Sequence, residues 1–163
     1  SRIESYDEFK SYKDFDIISE DIIQNLKEYE FNQRGKIGII HGDPVFTNIL
    51  IDEKNLIKMI DMRGKVGNKL TIYGDIFYDY AKIYQSLIGY DHILMDKDID
   101  DEYILKNIEV FNNYIISNFG QKKLIEIQQI TKSLLLSLIP IHNNEKCIQY
   151  YNLISKIDNY MDV

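Results

Sequence analysis

The chain is expected to adopt an α+β fold, mostly helical, with a small β-hairpin insert, and three features of its 163 residues carry that expectation. Apolar positions recur at helical spacing ahead of residue 30 and again from residue 75 onward. Between residues 36 and 61 they fall instead into short runs separated by turn residues. The length fits one domain, because a chain of this size buries roughly 70% of its unfolded surface, enough for a proper core.

Taken in order, "DIISEDIIQNLKEY" carries Ile17, Ile18, Ile22, Ile23 and Leu26 on a helical stripe, with Ser19 as the expected N-cap before Asp21 and Ile22. "KIGII" (36 to 40), "NILID" (48 to 52) and "LIKMIDM" (56 to 62) read as three short strands, the first buried, with "EKN" a tight turn between the latter two. "DIFYDYAKIYQSLIGY" (75 to 90) opens with an acidic first turn and ends near Gly89, as a helix should. Three further helices are expected at 102 to 119, 121 to 139 and 145 to 161, separated by Gly120 and by the "PIHNN" break after Ile139. There are no repeats and no low-complexity linker.

A formal charge of −7 works against binding a phosphate backbone, which relies on clustered Lys and Arg, so no nucleic-acid partner is expected. An acidic domain can attract a cationic ligand or Mg²⁺, although solubility explains the charge equally well. The 13 Tyr and absent Trp read as compositional bias. The single Cys147 excludes an internal disulfide, fits a reducing cytoplasm and reads as a small core side chain on a helix. No apolar run approaches the roughly 20 residues of a membrane span, and no basic n-region with an apolar h-region follows Ser1. A soluble, cytoplasmic chain is expected.

The segment "HGDPVFTNIL" (41 to 50) places His41, Asp43 and Asn48 between two apolar runs. Asp61 closes "MIDM", and a hairpin with "NILID" brings Asp43, Asn48 and Asp61 together. Phosphoryl transfer asks for this set: one carboxylate to orient and deprotonate the attacking hydroxyl, and an amide oxygen and a second carboxylate to hold Mg²⁺ on nucleotide phosphates. The HxDxxxxN spacing equals that of the kinase catalytic loop. Two acids within about 4 Å repel by roughly 4 kcal/mol at an effective dielectric near 20, so the cluster makes sense chiefly with a cation between them.

"HGDPVFTNILID", then "MIDMRG" and "GDIFYDYAKI", resembles the aminoglycoside phosphotransferase and choline kinase family of kinase-like small-molecule phosphotransferases. The wording "IDMRG…YDYAKIYQSLIGYD" looks closest to a bacterial branch in capsule and surface-polysaccharide biosynthesis. The motifs run from about residue 36 to 90, a third of the chain. The resemblance implies a protein-kinase-like C-terminal lobe whose hairpin insert carries the catalytic loop, with ATP or GTP as phosphate donor. It implies Asp43 as the base, Asn48 and Asp61 as Mg²⁺ ligands, His41 as a brace of the loop, and Asp79 of "YDYA" as an acid that holds the loop by accepting hydrogen bonds. For His41 a packed, hydrogen-bonded role outweighs a proton carrier. Arg63 meets substrate or nucleotide phosphate, or forms a surface ion pair. His92 and His142 read as ordinary surface or loop histidines.

Two departures stand out. Protein kinases acting on Ser or Thr place a Lys two residues after the catalytic Asp; Val45 occupies that position, which favours small-molecule acceptors such as a choline-like alcohol, sugar or aminoglycoside. The residues before "KIGII" read as helix rather than the strand-rich lobe that covers the nucleotide, so the chain resembles a C-lobe from a longer enzyme, of low activity by itself, with apolar surface exposed and self-association expected. "RGKVGNK" (63 to 69) lacks GxxxxGK[ST] and reads as a loop of turn residues. The acidic "MDKDIDDEY" (95 to 103) reads as a solvated helix start rather than a site for a cationic substrate. Two other classes compete: a non-catalytic kinase-like binding module in a polysaccharide-assembly complex, and a helical interaction domain, which leaves "HGDPVFTN" unaccounted for.

Overall fold

The computed structural model describes Tyr6 and residues 9–98, 100–142 and 145–160. The fold is α+β and mostly helical. Among the described residues six helices, α1 Phe15–Phe31, α2 Ile76–Leu87, α3 Tyr90–Leu94, α4 Asp101–Phe119, α5 Gln121–His142 and α6 Lys146–Asn159, form the body. The described residues also form six short strands, which lie on the body as three two-stranded antiparallel ribbons. β1 Ile37–Ile39 pairs with β6 Tyr73–Asp75, placing Gly38 opposite Gly74. β2 Ile49–Ile51 pairs with β3 Ile57–Met59, and β4 Lys65–Val66 with β5 Lys69–Leu70.

The core runs along α5, whose Leu124, Ile127, Leu135 and Ile139 are buried against α1, α2, α4 and α6. Tyr84, Ile88, Ile108, Ile115, Tyr150 and Ile154 belong to it as well. Cys147 is buried as expected, and its Sγ donates to the Ile139 carbonyl at 3.2 Å. Over Gln121–Ile141, α5 is long and apolar enough to cross a membrane by length and composition, which the reading of the sequence overlooked; more than half of that stretch is packed inside the fold.

Several boundaries differ from expectation for identifiable reasons. α1 begins at Phe15, and Ser19 lies inside it with its hydroxyl on the Asp16 carbonyl at 3.0 Å. Tertiary packing sets that start: Phe15 is buried against Tyr151 and Tyr6, and Asp14, at φ 58, turns the chain into the helix. α5 does not break at Pro140 but continues to His142. A helical proline strands the carbonyl four residues back, and here the hydroxyl of Tyr6 donates to that Leu136 carbonyl at 3.2 Å. The expected end of α6 at Met161 lies outside the described residues.

"KIGII" is largely exposed rather than buried. Ile37 is 75% and Ile39 64% exposed, and only Ile40 enters the core. A two-stranded ribbon on the rim of a helical body can cover one face at most, so Ile51, Ile57 and Leu70 are exposed as well. The expected "EKN" turn is built by Asp52, whose Oδ1 accepts from Lys54 and Leu56 while Asn55 takes a left-handed φ of 59°. The loop expected at 63 to 69 contains the β4–β5 hairpin, and "YGD" forms a strand the sequence did not announce. At "MDKDIDDEY" the helix-start reading holds: the Asp100 carboxylate caps α4 by accepting from Glu102 and Tyr103.

Candidate active site

The loop between β1 and β2 is held to the helical body at several points, all by groups from α2 and α3. The Asp79 carboxylate accepts from the backbone N–H of His41 at 2.7 Å and of Gly42 at 2.9 Å. The Ser86 hydroxyl accepts from the Phe46 N–H at 3.1 Å, and Asp91 Oδ1 from the Thr47 N–H at 3.3 Å. Asp79, Lys82 and Ser86 stand at i, i+3 and i+7 on α2, one polar stripe facing the loop while Phe77, Ala81 and Tyr84 face the core. Apolar anchoring comes from Ile40 and Val45, both buried.

Within the loop, His41 and Asn48 each bond back to Asp43. His41 is buried, and its Nδ1 accepts from the Asp43 N–H at 3.3 Å. Asn48 ends a single 3-10 turn, Phe46–Asn48, and donates its side-chain amide to the Asp43 carbonyl at 2.9 Å, leaving its amide oxygen for other use. Gly42 sits at φ +85°, where a Cβ would stand 2.7 Å from Cβ of Arg63, so glycine is required there by both backbone and space.

β3 brings the second half of the site. The Ile60 N–H donates to the Asn48 carbonyl, extending the β2–β3 pairing, and the Arg63 N–H donates to the His41 carbonyl at 2.9 Å. Between these ties lies Asp61, past the end of β3 rather than within a strand as expected, with a left-handed φ of 60°. Asp tolerates that conformation better than most residues, and it turns the exposed carboxylate into the cleft. No hydrogen bond or ion pair within the described residues holds that carboxylate.

A cleft of about 250 Å³ is lined by Asp43, Asp61, Met62, Arg63 and Lys82. Lys82 lies 3.1 Å from Asp43 Oδ1; its side chain is 14% exposed and that of Asp43 41%. The Arg63 guanidinium donates to the Tyr78 hydroxyl at 3.0 Å and makes no ion pair among the described residues, against one of the two alternatives read from sequence. Arg63 also lines a second cleft of about 520 Å³, shared with Ile40, Gly42, Lys65, Val66 and Tyr78. Beside the loop, burial first and then the carboxylates of Asp91 and Asp43 push the Tyr90 hydroxyl pKa upward. His92 sits in the last turn of α3; the backbone of His142 ends α5, and its side chain lies outside the described residues.

Comparison with protein-family models, curated proteins and solved structures finds no match.

The structure therefore gathers Asp43, Asp61 and Arg63 around one cleft, places Asn48 one backbone hydrogen bond from Ile60, next to Asp61, and sets His41 and Asp79 behind the loop. Lys82, Ser86 and Asp91 were missed. The signal for the first two was present as polar residues four apart on one helix face, three and seven residues beyond Asp79. For Asp91 there was none, because its approach to Thr47 depends on the turn at Gly89, φ 111°, that redirects the chain from α2 into α3.

Proposed function

We propose that this chain carries the phosphoryl-transfer centre of a kinase-like small-molecule phosphotransferase, resembling the C-terminal lobe of the aminoglycoside phosphotransferase and choline kinase family. The observation that carries the reading is the clamp of Asp79 on His41 and Gly42, which fixes the loop so that Asp43 faces a cleft shared with the unengaged carboxylate of Asp61. A turn that merely joined two strands has no use for such an arrangement.

In this reading Asp43 orients the acceptor hydroxyl and takes its proton, a role for which a carboxylate half open to a cleft is suited. Asn48 and Asp61 would hold Mg²⁺, which when bound neutralises charge on the phosphates of ATP or GTP. The donors fit: a free carboxylate and an amide oxygen whose nitrogen is already committed to the loop are hard oxygen ligands. Among the described residues no group of three or more His, Cys, Asp and Glu could hold a metal alone. That suits Mg²⁺, which takes one or two protein carboxylates and completes its shell with phosphate oxygens and water. The acceptor is a small hydroxyl compound, a choline-like alcohol, a sugar or an aminoglycoside, and the polysaccharide-biosynthesis wording of the motifs favours a sugar-related one.

The ribbons expose apolar side chains, Ile37, Ile39, Ile51 and Ile57 among them, and this supports a surface that a second, nucleotide-covering lobe would cover. A competing reading, a non-catalytic kinase-like binding module, draws on the ion pair that occupies Asp43. Calorimetric titration of the chain and of Asp61→Ala with MgATP and MgGTP separates the two. Binding that requires both Mg²⁺ and Asp61 is expected; binding indifferent to both would refute the phosphotransferase reading.

A further inference from the structure

The loop that bears Asp43 brings no cation of its own: between His41 and Asn48 it reads Gly42, Asp43, Pro44, Val45, Phe46, Thr47. The cation at Asp43 arrives from elsewhere in the fold, on the second turn of α2, where Lys82 lies one helical step beyond the clamp residue Asp79. That step matters mechanically. The helix that fixes the loop backbone through Asp79 also fixes the ammonium group, so Lys82 and Asp43 are held in register by one rigid element. The Lys82 side chain is mostly buried along its stem, and its ammonium lines the cleft shared by Asp43, Asp61 and Arg63.

We propose, resting on the reading above, that Lys82 is the phosphoryl-binding cation of this site: its ammonium contacts both Asp43 and an oxygen of the terminal phosphoryl group of the donor. An acceptor hydroxyl held on Asp43 lies about 2.7 Å from the carboxylate. In-line attack brings its oxygen to about 3–3.5 Å from phosphorus. The phosphoryl oxygens then fall within reach of an ammonium group 3.1 Å from the same carboxylate. A lysine ammonium has three donors, so one stays on Asp43 while another meets the phosphoryl oxygen. As the acceptor oxygen bonds to phosphorus, the bond to the nucleoside diphosphate oxygen breaks and the hydroxyl proton passes to Asp43. Lys82 loses no proton in the step and offsets the charge that spreads over the phosphoryl oxygens. The alternative is a lysine that only ties α2 to the loop.

These differ in one measurable respect: a phosphoryl ligand distinguishes nucleoside triphosphate from diphosphate, and a structural tie does not. Calorimetry on the chain, with Mg²⁺ and either a non-hydrolysable ATP analogue or ADP, is run for wild type, Lys82→Met and Lys82→Gln. Lys82→Gln keeps the stem and a hydrogen-bond donor for Asp43 and so guards against misfolding, which thermal unfolding monitors. The expected result is a wild-type preference for the triphosphate that both variants lose, with triphosphate affinity falling about 10- to 100-fold, the worth of a charge-assisted hydrogen bond, and diphosphate affinity moving less than about twofold. Equal weakening of both nucleotides, or no change in either, overturns the proposal for Lys82 while leaving the phosphotransferase reading intact. Failure of the wild-type chain to bind either nucleotide overturns that reading, and the role of Lys82 with it.

Discussion

Replacing Asp79 by Ala removes two acceptors at once, and the structure allows its effect to be worked out. The carboxylate is half-buried at the start of α2 and receives the N–H groups of His41 and Gly42 at 2.7 and 2.9 Å. Hydrogen bonds to a charged partner contribute about 1.5–3 kcal/mol each. Because the two share one carboxylate, and solvent reaches part of it, a combined loss of about 2–4 kcal/mol is expected. Asp79→Asn should fare little better, since its amide retains one acceptor oxygen but turns an N–H group toward one of the two N–H donors. Urea unfolding read by far-ultraviolet dichroism gives the global change. Amide hydrogen exchange gives the local one, with His41 and Gly42 losing protection about 100-fold while amides in the middle of α5 follow the global stability alone. A loss below about 0.5 kcal/mol, with unchanged exchange at those two amides, would refute the idea that Asp79 fixes the loop.

Gly42→Ala should destabilise the chain by about 1–3 kcal/mol, from the positive φ and from a Cβ placed 2.7 Å from Cβ of Arg63; a melting temperature equal to wild type would contradict this. Tyr84 is fully buried and its hydroxyl accepts from the Gln128 amide at 3.1 Å, so Tyr84→Phe leaves that amide without its partner and should cost about 1–3 kcal/mol in urea unfolding. The same tyrosine contributes to an alkaline limit. Burial, against the opposing bond from Gln128 and with a smaller contribution from Tyr160, pushes its pKa up to about 12 from the usual value near 10. The folded chain thus holds the proton more tightly than the unfolded one; the associated stability is complete below about pH 10 and is lost as pH rises through about 12. Denaturation at rising pH should show the stability gap between wild type and Tyr84→Phe narrowing as pH rises through about 12. On the phosphotransferase reading proposed above, Asp43→Asn should keep magnesium-dependent nucleotide binding and lower phosphotransfer to acceptor alcohols or sugars by about 10²–10⁴-fold; retained transfer would remove Asp43 from the chemistry.

The helices were legible because periodicity is a local property. The stripe from Ile17 to Leu26, the acidic start of α2 and the stop at Gly89 each follow from neighbours three or four residues apart, and α2, α4 and the body of α5 lie close to where the spacing put them. The ordered polar residues of the loop, His41, Asp43 and Asn48, were equally visible, since their spacing is fixed by the chain itself. Where local signals met tertiary ones, the tertiary ones prevailed. Phe15 packing on Tyr151 moved the start of α1 ahead of Ser19, and Tyr6 on the Leu136 carbonyl let α5 pass through Pro140.

What the sequence by itself determined was the α+β class, the succession of helices apart from the short α3, and the presence of an acid–amide–acid set around two short strands. Only the tertiary structure decided that "KIGII" pairs with Tyr73–Asp75 and stays exposed, that Asp61 turns past its strand into a cleft, and that Lys82, Ser86 and Asp91 converge on the loop from α2 and α3. The physical reason is separation along the chain. A helix is specified by contacts within a turn, whereas an ion pair 39 residues long in sequence, Asp43 to Lys82, exists only after the core has set where α2 lies.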